Sequence, residues 1–123
     1  MDAQELRDRT KQFGLRVINL MDALPSTGTS NVIGGQLLRS ATSVGANYGA
    51  ACRARSRPDF ISKLGIAIEE ADESPHWLEV LEDAKSMAPG RLDALMKEGN
   101  EIVAILTASA KTARAASRAK QGK

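Results

Sequence analysis

Apolar residues recur along this chain at steps of three, four and seven, in four separate series. Leu6, Phe13, Val17, Leu20 and Leu24 form the first, and such spacing keeps one stripe on one side of an α-helix. Ile33, Leu37, Ala41, Val44, Tyr48 and Ala51 form the second. In the third, Phe60, Leu64, Ala67, Ala71, Leu78 and Leu81 follow a heptad seam with Ser74 at the missing step. Leu92, Leu95, Gly99, Ile102, Leu106 and Ser109 alternate strictly between three and four and give the cleanest seam. Four amphipathic helices are therefore expected.

Turn signals separate them. Leu24-Pro25 predicts the end of the first helix, because the residue before proline is pushed out of the α region. Ser26 to Ser30 is turn material, with Ser30 or Asn31 as the expected cap of the second helix, which should run to about Arg55. Gly34-Gly35 weakens its first turn. Ser56-Arg57-Pro58 predicts a restart, since proline is tolerated in a first helical turn. Pro75 falls inside the third series without shifting its register, which predicts a kink between Ala71 and Ser74 rather than a chain reversal. Ala88-Pro89-Gly90 is the last break. Short connections favour antiparallel neighbours, so the expected fold is all-α, an up-down four-helix bundle with a kinked third helix. Residues 1–118 are assigned to that single domain and 119–123 to a flexible basic tail.

Composition agrees with this class. Hydrophobic residues are 42% of the 123 but aromatics only 3%, so the core must be aliphatic. No run of apolar residues is long enough for a membrane span, and the N-terminus lacks a basic-then-apolar leader, which predicts a cytoplasmic protein with no membrane association. One cysteine, Cys52, allows no intrachain disulfide and is expected to be a buried thiol. Leu15, Ile18, Leu38, Ile61, Ile66, Trp77, Val80 and Ile105 lie off the main seams. Such a surplus of apolar positions predicts self-association.

The formal charge of +2 conceals a strong segregation. Glu69, Glu70, Asp72, Glu73, Glu79, Glu82 and Asp83 follow one another with no Lys or Arg between them. Arg53, Arg55, Arg57 and Lys63 surround the second turn, and Lys111, Arg114, Arg118, Lys120 and Lys123 end the chain without an acid. Lys111, Arg114 and Arg118 share a helical stripe, an arrangement suited to a phosphate backbone. Equally, such residues form ordinary solvated faces, or pair with the acidic stripe between subunits.

No catalytic constellation emerges. His76 is the only histidine, and no nucleophile elbow accompanies it. Glu73-Ser74-Pro75-His76 has the Glu-x-x-His spacing of ferritin-like metal sites, but one such pair falls short of a two-metal centre. No cofactor and no metal are expected, and the chain is read as a non-enzyme. Ser40 to Cys52 is dense in small residues, and Gly45 and Gly49 predict a helix crossing close enough to offset their cost of about 1 kcal/mol each. Asn47, if buried beside them, needs partners across the bundle or a subunit contact.

Gln36-Leu37-Leu38-Arg39-Ser40-Ala41-Thr42-Ser43-Val44-Gly45-Ala46-Asn47-Tyr48, Arg53-Ala54-Arg55-Ser56 with Phe60, and Glu70-Ala71-Asp72-Glu73-Ser74 with Trp77-Leu78-Glu79 resemble one bacterial four-helix-bundle family. That family includes the proteins encoded within ribosomal RNA intervening sequences, and the accessory variability protein of diversity-generating retroelements is a relative. The resemblance spans Phe13 to Leu106. It implies a homopentamer with a basic surface that binds RNA or DNA, or an adaptor for another protein such as a reverse transcriptase, and it implies no enzyme. It marks Arg39, Ser43, Asn47, Arg53 and Arg55 as family-like polar positions, with Glu70, Glu73 and Trp77 on the third helix. Arg39, Arg53, Arg55, Arg57, Lys111, Arg114 and Arg118 are thus the candidate phosphate contacts. Gly45, Asn47, Gly49 and Trp77 are the candidate packing and oligomer positions. Gly49 stands where relatives often carry a base, and Pro75 where they carry another residue.

Overall fold

The computed structural model describes residues 1–121, the side chain of Gln121 excepted, and they form four helices. These are α1 (Ala3–Met21), α2 (Gly28–Cys52), α3 (Arg57–Asp83) and α4 (Asp93–Gln121). The last includes positions 119–121, which the sequence reading assigns to a tail; the remainder of that tail lies outside the described residues. No helix among the described residues is long and apolar enough to cross a membrane.

Three helix starts are capped by a side-chain oxygen, which satisfies one of the orphan backbone donors of the first turn. Asp2 accepts from the Glu5 amide, Thr27 from that of Ser30, and Ser56 from that of Asp59. Thr27, rather than Ser30 or Asn31, is the cap of α2. Ser30 is instead buried in the first turn, where its hydroxyl lies 3.0 Å from that of Ser86 in the following hairpin. The helix ends also fall short of expectation: α1 stops at Met21 and α2 at Cys52.

The predicted seams build the core. Phe13, Val17, Leu37, Ala41, Val44, Leu64, Ala67, Leu78, Leu81, Ile102 and Leu106 are at most 1% exposed. Ser74 fills its step in α3 as a fully buried residue, its hydroxyl 3.0 Å from that of Ser40 and bonded to the Glu70 carbonyl. Thr10 is likewise buried and satisfied by the carbonyls of Leu6 and Arg7.

Contacts between helices fix their directions. A side-chain carbon on Gly45 would meet the α1 backbone at Lys11, one on Gly14 would meet Thr42, and one on Gly34 would meet Met21. The α1 numbers rise while the α2 numbers fall, so this pair is antiparallel. Ser40 opposite Ser74 and Ser30 opposite Ser86 give the same result for α2 and α3. Helix α3 runs without interruption through Pro75, whose ring packs on α4: a Cβ at Gly99 would lie 2.9 Å from its Cγ. The α1 and α4 helices are tied by a fork of hydrogen bonds from Arg9 to Glu98, at 2.9 and 2.6 Å, with Glu101 at 2.8 Å.

Candidate nucleic-acid interface

The α2–α3 turn displays its three arginines for a local reason. Arg53 is the α2 C-cap and its amide bonds the Ala50 carbonyl, while Ala54 bonds that of Ala51. The chain then extends to Ser56, the α3 cap, and Arg57-Pro58 opens the next helix. A turn this short leaves Arg53, Arg55 and Arg57 pointing outward, and all three are exposed. None forms an ion pair among the described residues.

Lys111, Arg114 and Arg118 are also exposed, on the last turns of α4. The turn packs against the other side of α4 at the same end: Arg57 and Phe60 share a surface groove with Met1 at the start of the chain and Thr112, Ala113 and Ala116 of α4, and Lys111, Arg114 and Arg118 do not line it. Arg53 in turn shares a groove with Arg7 and Lys11 of α1. The first half of α1, the α2–α3 turn and the end of α4 therefore occupy one end of the molecule. Arg9 is held by Glu98 and Glu101 and Lys63 by Asp59; beside these pairs the same segments carry Arg7, Lys11, Arg53, Arg55, Arg57, Lys111, Arg114, Arg118 and Lys120 against Asp2, Glu5 and Asp8, so this end is basic.

Arg39 is a correction to the candidate set. Its guanidinium donates to Glu70 at 2.9 Å and to Glu73 at 2.6 Å, and the Trp77 indole donates to the same Glu73 oxygen at 2.8 Å. The hydrogen bond from Trp77, aided by Arg39, holds the Glu73 carboxyl below the usual carboxylate range. In return Glu73 and Glu70 raise the Arg39 guanidinium. Four positions singled out by resemblance thus form one network bracing α2 against α3, in which the Arg39 charge is already paired with two carboxylates.

The packing candidates divide. Gly45 meets the expected close crossing, with Lys11 N and Thr10 C at 3.4 and 3.5 Å from a built Cβ. Gly14, its counterpart on α1, was not singled out in the sequence, because a lone glycine between Phe13 and Leu15 carries no periodic signal. Gly49 takes no part in a crossing: the only group near its absent side chain is the Arg53 guanidinium at 3.3 Å. Asn47 is half-buried, but its amide bonds the Ser43 carbonyl in its own helix at 2.8 Å, not a partner across the bundle. Trp77 lies half-buried with the His76 ring packed edge-on at 5.0 Å. Cys52 is exposed rather than buried, since it ends α2 one step past Ala51, the last core position.

No metal-holding cluster is assembled by the described residues. Glu73 is engaged by Arg39 and Trp77, and no three His, Cys, Asp or Glu side chains among the described residues converge on a point that could hold a metal ion. What this surface can do is present fixed positive charge, over a helical bundle that holds its own backbone groups internally.

Fold and surface together define an all-helical protein with one basic end. The family described as 23S rRNA-intervening sequence protein matches residues 3–108, and this chain belongs to it. A crystal structure of a protein of unknown function from the S23 ribosomal protein family of Bacteroides thetaiotaomicron VPI-5482 is similar to the chain. The two are 35% identical with a TM-score of 0.83, over 90% of this chain and 99% of the other. No match is found among curated proteins.

Proposed function

We propose that the protein is a non-enzymatic, oligomeric helical bundle that binds RNA or DNA in the cytoplasm through its phosphates, without reading bases. The observation that carries this reading is that nine cations with no ion pair among the described residues stand against three carboxylates at one end of a chain whose net charge is only +2. Exposed arginines with no carboxylate partner suit phosphate oxygens, because a bidentate charge-assisted bond matches that geometry and little must be broken to form it. The family's printed description, which ties it to a ribosomal RNA insertion, is compatible with an RNA ligand.

Two charge-reversal pairs test it, Arg55→Glu/Arg57→Glu and Arg114→Glu/Arg118→Glu. Fluorescence anisotropy of a labelled RNA or DNA fragment should show weaker binding for each, to about the same degree for every sequence, since phosphate contacts position a ligand without specifying it. All four side chains are exposed, so far-UV circular dichroism should not change. Affinity indifferent to both pairs would overturn the reading.

An adaptor that binds another protein, such as a reverse transcriptase, is the second reading. It is favoured by Leu15 and Ile18, which are 39% and 44% exposed on α1 where a phosphate backbone would have no use for them.

A further inference from the structure

The exposed apolar residues are not scattered. Leu15 and Ile18 flank a groove of about 500 Å³ that runs between α1 and α2 on the outside of the bundle. Its floor is made of small residues, Gly14, Gly45, Ala46 and Gly49, so that the helix crossing leaves a trough instead of a ridge. At one end the trough is flanked by Arg7, Lys11 and Arg53, against the single carboxylate of Asp8, which already accepts a hydrogen bond from Gln4. The groove therefore grades from apolar to basic along α1.

Helix α3 carries the opposite gradient. Ile66, Glu69, Asp72, His76, Glu79 and Asp83 recur at steps of three and four on its outer side, and all are exposed. Ile66 is 43% exposed, and none of these four carboxylates forms an ion pair among the described residues. Two other carboxylates of the acidic run are already used: Glu70 and Glu73 hold Arg39. The outer stripe is thus an unpartnered ridge that begins apolar and becomes acidic.

We infer that the α3 ridge of one copy of this chain docks in the α1–α2 groove of the next. Laid antiparallel to α1, the ridge brings Ile66 to Ile18 and Leu15, Glu69 and Asp72 to Lys11, and Glu79 toward Arg7 and Arg53. The spacings agree: at about 1.5 Å per residue, Ile66 to Asp72 spans about 9 Å and Ile18 to Lys11 about 10.5 Å. Apolar contacts then anchor the interface while the charges fix its direction, since the parallel arrangement would set Ile66 among the cations. Within one chain the two surfaces cannot meet, because α1 and α3 do not touch. A contact between two different surfaces repeats from copy to copy, closing into a ring when the rotation allows. The inference rests on the oligomeric half of the proposed function. It reserves Arg7, Lys11 and Arg53 for the subunit contact and leaves Arg55, Arg57, Lys111, Arg114 and Arg118 for phosphates.

Three variants test it by light scattering after gel filtration: Arg7→Glu/Lys11→Glu in the groove, Glu69→Lys/Asp72→Lys on the ridge, and all four substitutions together. Wild type should show several times the chain mass of 13.1 kDa. Each pair alone should fall toward 13.1 kDa with unchanged helicity, since all four residues are exposed, and the fourfold variant should regain the wild-type mass. Pairs that leave the mass unchanged, or a fourfold variant that stays dissociated, overturn the docking. A monomeric wild type that still binds labelled RNA in a salt-dependent way overturns it too, while sparing the nucleic-acid reading. If the groove pair abolishes RNA binding at unchanged mass, the groove is a polyanion site and the inference falls.

Discussion

At the scale of single residues, this bundle is spaced by its glycines. Gly99 stands where the Pro75 ring leaves no room for a side-chain carbon, and Gly45 where such a carbon would already touch the Lys11 backbone and a longer side chain would crowd the crossing. Gly45→Leu should destabilise the protein by about 1–3 kcal/mol, the usual cost of overfilling a tight contact, and thermal melting measures it. Gly99→Ala should cost a similar amount, because neither the Pro75 ring nor Phe13 behind it can swing aside. In a Pro75→Ala background that cost should shrink, so a double-mutant cycle separates this contact from a general effect of helix α4. Equal costs in both backgrounds would mean that the Pro75 ring is not what Gly99 accommodates. The reason for glycine at position 45 was legible in the sequence, since two glycines in a run of small residues signal a crossing. That Gly49 is not at the crossing was not, because spacing puts both glycines on one side of α2 and cannot tell where along it α1 passes closest.

At the scale of the helices, seams were legible and ends were not. Every buried position of the heptad-like series is set by a repeat over many residues, whereas a helix end is decided by one cap. Lys85 shows why. It adopts a φ of 62° after α3, where its amide bonds the Glu82 carbonyl and that of Ser86 bonds Leu81, closing the helix four residues ahead of Pro89. Glycine is the usual residue in that conformation and gives the sequence signal that lysine withholds. Lys85→Gly should therefore stabilise the protein by about 0.5–1 kcal/mol, the relief of a left-handed lysine less the entropy glycine adds to the unfolded chain. A lower melting temperature would contradict the assignment. Pro75 was equally legible as an interior proline that does not reverse the chain; its fit against Gly99 was visible only with both helices in place.

The join of α1 to α4 depends on Arg9, and it gives the fold an acid-sensitive element. The Arg9 hydrogen bond holds the Glu98 carboxyl below its ordinary value of 4.5, and Glu73 is lowered in the same direction by Trp77 and Arg39. A carboxylate lowered in the native state stabilises it fully above its unfolded value and progressively less as pH falls through the lowered one. Stability measured by urea unfolding should thus decline as pH falls below about 4.5, where carboxylates of ordinary value begin to titrate. Glu98→Gln should flatten part of that decline and cost about 1 kcal/mol at neutral pH, where the fork to Arg9 is intact. An unchanged pH profile in the variant would show that the fork does not couple the two helices.

At the scale of the molecule, charge is the organising feature. Acids braced against Arg9 and Arg39 hold the helices together, while an unpaired acidic ridge and an unpaired basic end remain for other molecules. The two basic clusters were legible in the sequence as separate runs. Their sharing one end followed from the expected up-down order of the helices, whereas their faces did not: Arg57 lies beside Ala113 and Ala116, across α4 from Lys111, Arg114 and Arg118. An assembly that repeats this end multiplies weak phosphate contacts when one nucleic acid can span several copies. Long fragments should then bind more tightly than short ones, and gel filtration with light scattering should give a mass several times 13.1 kDa at micromolar concentration. A mass of one chain that persists on concentration would remove the multiplication.

Salt is the most direct probe of the central claim. Each phosphate neutralised by an arginine or lysine releases counterions, so the logarithm of affinity for duplex DNA falls by about 0.9 per contact for each tenfold rise in salt. The measurement is an anisotropy titration of one labelled duplex across a series of salt concentrations, with wild type beside Arg55→Glu/Arg57→Glu. A basic end that grips phosphates predicts a steep linear fall for wild type and a slope shallower by about 0.9 per contact removed in the variant. No detectable binding at low salt, or an affinity that salt and the two substitutions leave unchanged, would contradict it.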